Sequence, residues 1–247
     1  MELSKSKLQL FSSLSSAKMR RKHRLFIVEG EKGVADCLAS YLPSALVVLK
    51  GADVSLPPCQ APVMEASEQE MRKISNLTTP PTLIGVFHLP EEEERMEPLD
   101  PDRLYLMLDG VQDPGNLGTI IRTCHWFGVF TIIASRDTVD VFNPKVVQAT
   151  MGSLGHVRVV YADLARVIGE NPAMPVYGTL LEGENIFHAD LSVGGLIIMG
   201  NEGNGISAPI RQLITRPLNI PPATPDHGES LNVAIATAIT LSQFRAR

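Results

Sequence analysis

Hydrophobic positions along the chain switch period repeatedly, and each switch marks the passage from a strand to a helix or back. Residues 25–28 (Leu-Phe-Ile-Val) form a short apolar run, residues 31–40 a helical stretch, and residues 46–49 (Leu-Val-Val-Leu) a second run. A helix is predicted over 67–76 and a strand over 83–88. The pattern then stops: from residue 91 four consecutive glutamates are followed by Glu97-Pro98 and Asp100-Pro101-Asp102. Such a segment is solvated and broken by proline, so residues 91–102 are expected to be a linker between domains at 1–90 and 103–247. Alternation resumes at 105–109 (Tyr-Leu-Met-Leu-Asp), a continuous run suited to a strand buried on both faces. Further strands are predicted at 131–134, 157–160, 176–179 and 196–199, with another ending near Leu218-Asn219. Strand–helix alternation of this kind predicts an α/β fold with a parallel sheet, preceded by a smaller α/β domain.

Two helices carry more than packing information. In the one expected to begin near Leu117, Leu117, Ile120, Ile121 and Cys124 recur at helical spacing and define a buried face. Arg122 and Trp126 fall on the other side, one turn apart. The last helix, predicted to start at Ser230 as its N-cap, has Leu231, Val233, Ala234, Ile235, Ala236, Ala238, Ile239 and Leu241 with no wide polar stripe between them. A helix apolar all round must be covered, here by its own domain and by a second subunit.

Composition is ordinary for a globular protein, but charge is unevenly spread. The net charge is −5, yet residues 1–24 carry seven lysines and arginines against the single Glu2. That basic segment reads as a solvated tail, a targeting peptide or a surface for an anionic partner. Cys37, Cys59 and Cys124 form no CxxC pair, and the six histidines show no ligand spacing, so neither a disulfide framework nor a metal site is expected. A reducing, cytoplasmic setting fits, and no apolar run reaches the roughly 18 residues of a membrane span.

Beyond the strand at 196–199 lies Gly200-Asn201-Glu202-Gly203-Asn204-Gly205. Ligands of parallel sheets sit at such carboxyl ends. The spacing is GxxGxG rather than the GxGxxG of a dinucleotide site, and no Walker sequence occurs, which disfavours nicotinamide and nucleoside-triphosphate chemistry. Three loops taken in order are more specific: Asn116 with Arg122, then Gly200 to Ser207, then Ile220-Pro221 and Ser230-Leu231-Asn232-Val233. Together they resemble the three motifs of the SpoU/TrmH family of RNA ribose 2′-O-methyltransferases, and residues 142–153 (Phe-Asn-Pro-Lys-Val-Val-Gln-Ala-Thr-Met-Gly-Ser) look like its intervening segment. The resemblance covers 104–244. Residues 5–90 are similar, less specifically, to the family's small RNA-substrate domain.

The resemblance implies a parallel sheet whose C-terminal segment is threaded into a trefoil knot, binding of S-adenosylmethionine, and a homodimer formed through the methyltransferase domain. It implies a catalytic set of Asn116, Arg122, Glu202, Ser230 and Asn232. Cofactor contacts are implied at Thr179, Gly200, Asn201, Gly203, Ile220 and Leu231, and RNA contacts at Lys18, Arg20, Arg21, Lys22 and Arg24. A guanidinium stays protonated in proteins, so Arg122 is read as a clamp on phosphate and emerging alkoxide rather than a base. Glu202 is read as either base or orienting acceptor, with Ser230 and Asn232 orienting ribose and cofactor. The substrate implied is structured RNA, ribosomal in the first instance; the alternatives are transfer RNA, or a non-catalytic RNA-binding or ribosome-assembly protein on the same scaffold. One departure from the family pattern is the longer, proline-stiffened loop 222–229, where His227 and Glu229 either supplement the site or are simply solvated.

Overall fold

The computed structural model describes residues 1–55, 58–91, 98–224, 226 and 230–246. In chain order the elements are α1 (Lys5–Ser13), α2 (Ala17–His23), β1 (Leu25–Glu29), α3 (Glu31–Leu38), β2 (Pro43–Leu49), β3 (Val63–Ala66), α4 (Glu68–Ile74) and β4 (Leu83–His88). There follow β5 (Leu104–Asp109), α5 (Pro114–Trp126), β6 (Thr131–Ala134), α6 (Pro144–Ala149), β7 (Arg158–Tyr161), α7 (Leu164–Glu170), β8 (Val176–Asn185), β9 (Gly195–Gly200), α8 (Ala208–Arg211), β10 (Arg216–Asn219) and α9 (Val233–Arg245). Residues 92–97, within the expected acidic linker, and His227 and Glu229 lie outside the described residues.

Two compact units result. One comprises Met1–Glu93 together with Asp140–His156, the other Glu94–Val139 with Val157–Arg247. The segment 140–156, contiguous in sequence with the second unit, thus clusters with the first. Its anchors are specific: Phe142 packs against Phe26 with ring centroids 4.6 Å apart, and Ser40 donates to the Gly155 carbonyl at 2.5 Å. Gly152 (φ +94°) and Gly155 lie so close to Asp36 that a Cβ on either would come within 2.1–2.2 Å of it, so both positions require glycine.

The first unit holds a four-stranded sheet of order β1-β4-β2-β3, antiparallel except for the parallel β2–β3 pair. Its edge strand β3 was not anticipated from the pattern. The basic N-terminal segment is neither a tail nor a separate peptide: Leu3, Phe11 and Leu14 are buried in the sheet's core with Ile27, Val47 and Met71, and Glu2 bridges to Glu65 beside β3. Arg20, expected among the RNA contacts, is only 2% exposed. Its guanidinium donates to the carbonyls of Leu14 (3.1 Å) and Ser15 (2.9 Å) and to Asp140 (2.6 Å), so it is consumed inside the fold and unavailable to RNA.

The second unit is a six-stranded, wholly parallel sheet of order β10-β8-β9-β5-β6-β7. Met107, Ile133 and Ile198 fill one side of it with Leu164 and Val167 of α7. The chain leaves β5 towards β6 and leaves β9 towards β10, in opposite directions across the sheet. The reversal falls between β5 and β9, whose last residues Asp109 and Gly200 are paired in register. An open parallel sheet accepts ligands at the carboxyl ends of its strands at such a reversal.

Candidate active site

Two helix starts differ from the sequence reading, and both differences build the site. Helix α5 begins at Pro114, three residues before Leu117, because Asp113 caps it through Oδ1 to the Asn116 N–H (2.8 Å) and proline at the first turn sacrifices no hydrogen bond. Asn116 is thereby carried on the first turn of the helix. Helix α9 begins at Val233, capped by Asn232 rather than Ser230: its Oδ1 accepts from the N–H groups of Ala234 (2.9 Å) and Ile235 (3.3 Å). Ser230 and Leu231 stay in the exposed approach to that helix.

The loop after β9 is a closed turn in which Asn201 and Gly205 exchange backbone hydrogen bonds of 2.9 Å. Gly205 sits at φ +68°, and a Cβ on Gly200 would lie 2.2 Å from the Gly205 carbonyl carbon. The Asn201 side chain organises the turn. It accepts from the N–H groups of Gly203 (2.9 Å) and Asn204 (3.0 Å) and donates to the Gly110 carbonyl at 2.7 Å. Ser207 N–H closes the far end on the Asp109 carboxylate (2.7 Å).

This turn aims Glu202 at the start of α5. Its carboxylate accepts from the N–H groups of Gln112 (3.3 Å) and Asp113 (3.2 Å) and from Nδ2 of Asn116 (3.0 Å). Asn116 Oδ1 in turn accepts from Nδ2 of Asn232 at 2.9 Å. The directions are fixed by logic: Asn232 Oδ1 is committed to helix N–H groups, so its amide nitrogen must face Asn116, whose own amide nitrogen must then face an acceptor, Glu202. Partial burial opposes the Glu202 charge, but the hydrogen bonds from Asn116 and from the backbone of Glu202, Asp113 and Gln112 outweigh it and hold the carboxyl below its usual range.

Three of the five expected catalytic residues, Asn116, Glu202 and Asn232, are therefore in one hydrogen-bonded chain. Arg122 is not. Six residues on, it lies about 9 Å further along the helix axis and faces solvent, and among the described residues it has no hydrogen bond or ion pair. Trp126, one turn beyond, is 85% exposed. Among the described residues of α9, Ile235 is also exposed, whereas Val233, Thr237, Leu241 and Phe244 are buried.

The positions expected at the cofactor lie on the neighbouring strands. Thr179 of β8, Gly200 of β9 and Ile220, directly after β10, are each partly exposed at the carboxyl side of three adjacent strands, and Leu231 is half exposed. Main-chain polar groups flanked by apolar side chains such as Ile220 and Leu231 suit a purine nucleoside carrying a sulfonium amino acid, so the residues fit S-adenosylmethionine. The Asn201 side chain is engaged with Gly203, Asn204 and the Gly110 carbonyl and can serve a ligand only through the backbone it shapes.

The SpoU rRNA Methylase family matches residues 103–242, and an MRM3-like substrate binding domain matches residues 5–85. The chain belongs to the SpoU rRNA methylase family. It is 32% identical over 246 residues to the 23S rRNA (guanosine(2553)-2′-O)-methyltransferase RlmP of Bacillus subtilis, covering 97% of this chain and 96% of that one. Among solved structures, a TrmH-family protein from Porphyromonas gingivalis superposes with a TM-score of 0.88 at 40% identity, over 100% of this chain and 99% of the other. The AdoMet-bound rRNA methyltransferase from Sinorhizobium meliloti gives 0.84 at 30% identity, over 100% and 97%.

Proposed function

We propose that this protein transfers the methyl group of S-adenosylmethionine to a ribose 2′-hydroxyl of ribosomal RNA, in the large subunit by analogy with the Bacillus subtilis relative. The observation that carries the reading is the Glu202–Asn116–Asn232 chain at the sheet's reversal point, beside the strand ends suited to the cofactor. When bound, the cofactor supplies an electrophilic methyl on a sulfonium. Thr179, Gly200, Ile220 and Leu231 hold it, with Gly203 shaping the turn alongside. Methyl transfer to a hydroxyl needs alignment and stabilisation of the oxygen as its proton passes to solvent water. Asn116 and Asn232 provide fixed amide donors for alignment, and Glu202 serves as the acceptor that orients Asn116 rather than as the base. Ser230 orients the ribose. Arg122 clamps phosphate and the forming alkoxide as a permanent cation.

The first unit serves as the RNA-substrate domain, with Lys18, Arg21 and Lys22 exposed on it and Arg24 half buried against the Pro90 carbonyl. Exposed Trp126 and Ile235 support a homodimer through the α5 and α9 face. The trefoil threading implied by the motifs belongs to the same reading, as does a cytoplasmic location. Among the described residues no helix is long and apolar enough to cross a membrane.

The direct test is transfer of labelled methyl from S-adenosylmethionine to total RNA of a strain lacking the gene, followed by mapping of alkali-resistant ribose positions. One new 2′-O-methyl site in ribosomal RNA is the expected result. A site in transfer RNA overturns the substrate, and no transfer to naked RNA, intact subunits or assembly intermediates overturns the activity.

A further inference from the structure

Strand β8 does not run straight. It pairs with β10 through Tyr177 opposite Arg216 and Gly178 opposite Pro217, and then resumes with Glu184 opposite Leu218 and Asn185 opposite Asn219. Adjacent residues of β10 thus span a five-residue excursion of β8, residues 179–183. Pairing of β8 with β9 also ends at Gly178, so the excursion leaves the sheet at its carboxyl edge. Bulges of this kind re-aim the chain at functional edges.

Apolar packing does not hold the apex, since Leu181 is 76% exposed. Asn219 holds it instead. Its Nδ2 donates to the carbonyls of Leu180 (3.2 Å) and Leu181 (2.7 Å), while its own carbonyl accepts from the Ile186 N–H (2.9 Å) where β8 ends. The clasp is close: a Cβ on Gly183 would lie 2.8 Å from the carbonyl carbon and oxygen of Pro217. The excursion begins at Thr179, whose hydroxyl is 3.5 Å from the Ile198 carbonyl and the Met199 sulfur of β9. Asn219 immediately precedes Ile220. A single amide side chain therefore ties together two of the strand ends assigned to the cofactor.

We infer that Asn219 is a positioning residue for S-adenosylmethionine: it sets the 179–183 excursion as one wall of the cofactor site. This rests on the cofactor reading above. Asn219→Asp keeps the side-chain shape but replaces two N–H donors with acceptors facing two carbonyls, which the excursion can relieve only by moving away. Gly183→Ala displaces the same segment by a clash with the Pro217 carbonyl of β10.

The experiment is calorimetric titration of the full-length protein with S-adenosylhomocysteine, alongside melting of the free protein and steady-state methyl transfer. Both variants are expected to bind at least tenfold more weakly and to raise KM for S-adenosylmethionine in proportion. The KM for RNA, and kcat at saturating cofactor, stay within about threefold of wild type. A purely structural role would lower kcat and melting temperature without a selective change in cofactor affinity, and that result overturns the proposal. So does binding within twofold of wild type in both variants. Absence of binding by the wild-type protein overturns the cofactor reading itself, a failure distinguishable from that of Asn219 alone.

Discussion

Arg20 and Asp140, 120 residues apart, form an ion pair of 2.6 Å in which the arginine side chain is 3% exposed and the carboxylate 29%. The pair joins helix α2 to the start of the segment that the first unit takes from the middle of the chain. It also divides a run of adjacent cations by role, since Arg21 and Lys22 beside it are exposed.

That division predicts opposite phenotypes for neighbouring substitutions. Removing one partner of a buried pair leaves the other charge uncompensated, so Arg20→Ala should destabilise the protein by about 2–4 kcal/mol, the solvent contact of Asp140 keeping the loss below the fully buried limit. Arg21→Ala should stay within about 0.5 kcal/mol. Denaturant titration of both variants checks this, and equal stabilities would contradict it.

RNA affinity should show the reverse order. Each phosphate neutralised contributes about 0.7–0.9 to the slope of log affinity against log salt. Replacing Lys18, Arg21 and Lys22 together by alanine should flatten that slope by about 2. An unchanged slope would move the RNA surface elsewhere.

The depressed pKa of Glu202 sets a pH expectation. A carboxyl whose folded pKa lies below its unfolded value stabilises the protein above the unfolded pKa, and that contribution is lost as pH falls through the folded one. Its contribution is therefore complete at neutral pH and disappears only below the ordinary carboxylate range. Between pH 6 and 8 the methyl-transfer profile should carry no limb due to Glu202. Glu202→Gln should lower the rate by tenfold or more without moving the profile's apparent pKa values; a moved limb would make Glu202 the base.

Asn232 does two jobs that one substitution can separate. Asn232→Asp keeps an oxygen to cap α9 and loses the amide donor to Asn116, so melting should be nearly unchanged while turnover falls by an order of magnitude. Asn232→Ala also loses the cap, at a cost of about 1 kcal/mol. Turnover like wild type in Asn232→Asp would show the hydrogen bond to Asn116 to be incidental.

Arg122 has no other task among the described residues, so its replacement should touch only the reaction. Arg122→Lys is expected to bind cofactor as wild type does and to lose most turnover, because lysine lacks the bidentate fork. Turnover like wild type would remove Arg122 from the catalytic set.

Much of the architecture was legible because burial leaves a periodic trace. The run at 105–109 reads as a strand covered on both faces, and β5 is buried throughout. Leu117, Ile120, Ile121 and Cys124 read as one helix face, and all four are fully buried. Helix starts were less legible, because Asp113-Pro114-Gly115-Asn116 has the composition of a turn and of a capped first helical turn alike. For α9, serine and asparagine are both favoured N-cap types, so composition did not separate the expected cap at Ser230 from the observed one at Asn232.

By itself the sequence determined the alternation of strands and helices, the order of the three loops, and the kinds of side chain each brings to the sheet's carboxyl edge. These follow from local patterns, since a strand or helix face is written every two or every three to four residues. Tertiary structure alone decided that Arg20 is buried while Arg21 is exposed, that residues 140–156 join the first unit, and that Glu202, Asn116 and Asn232 bond in one direction. Each of those outcomes depends on groups far apart in sequence, whose meeting is set by how the chain closes on itself and by which polar group finds a partner when water is excluded.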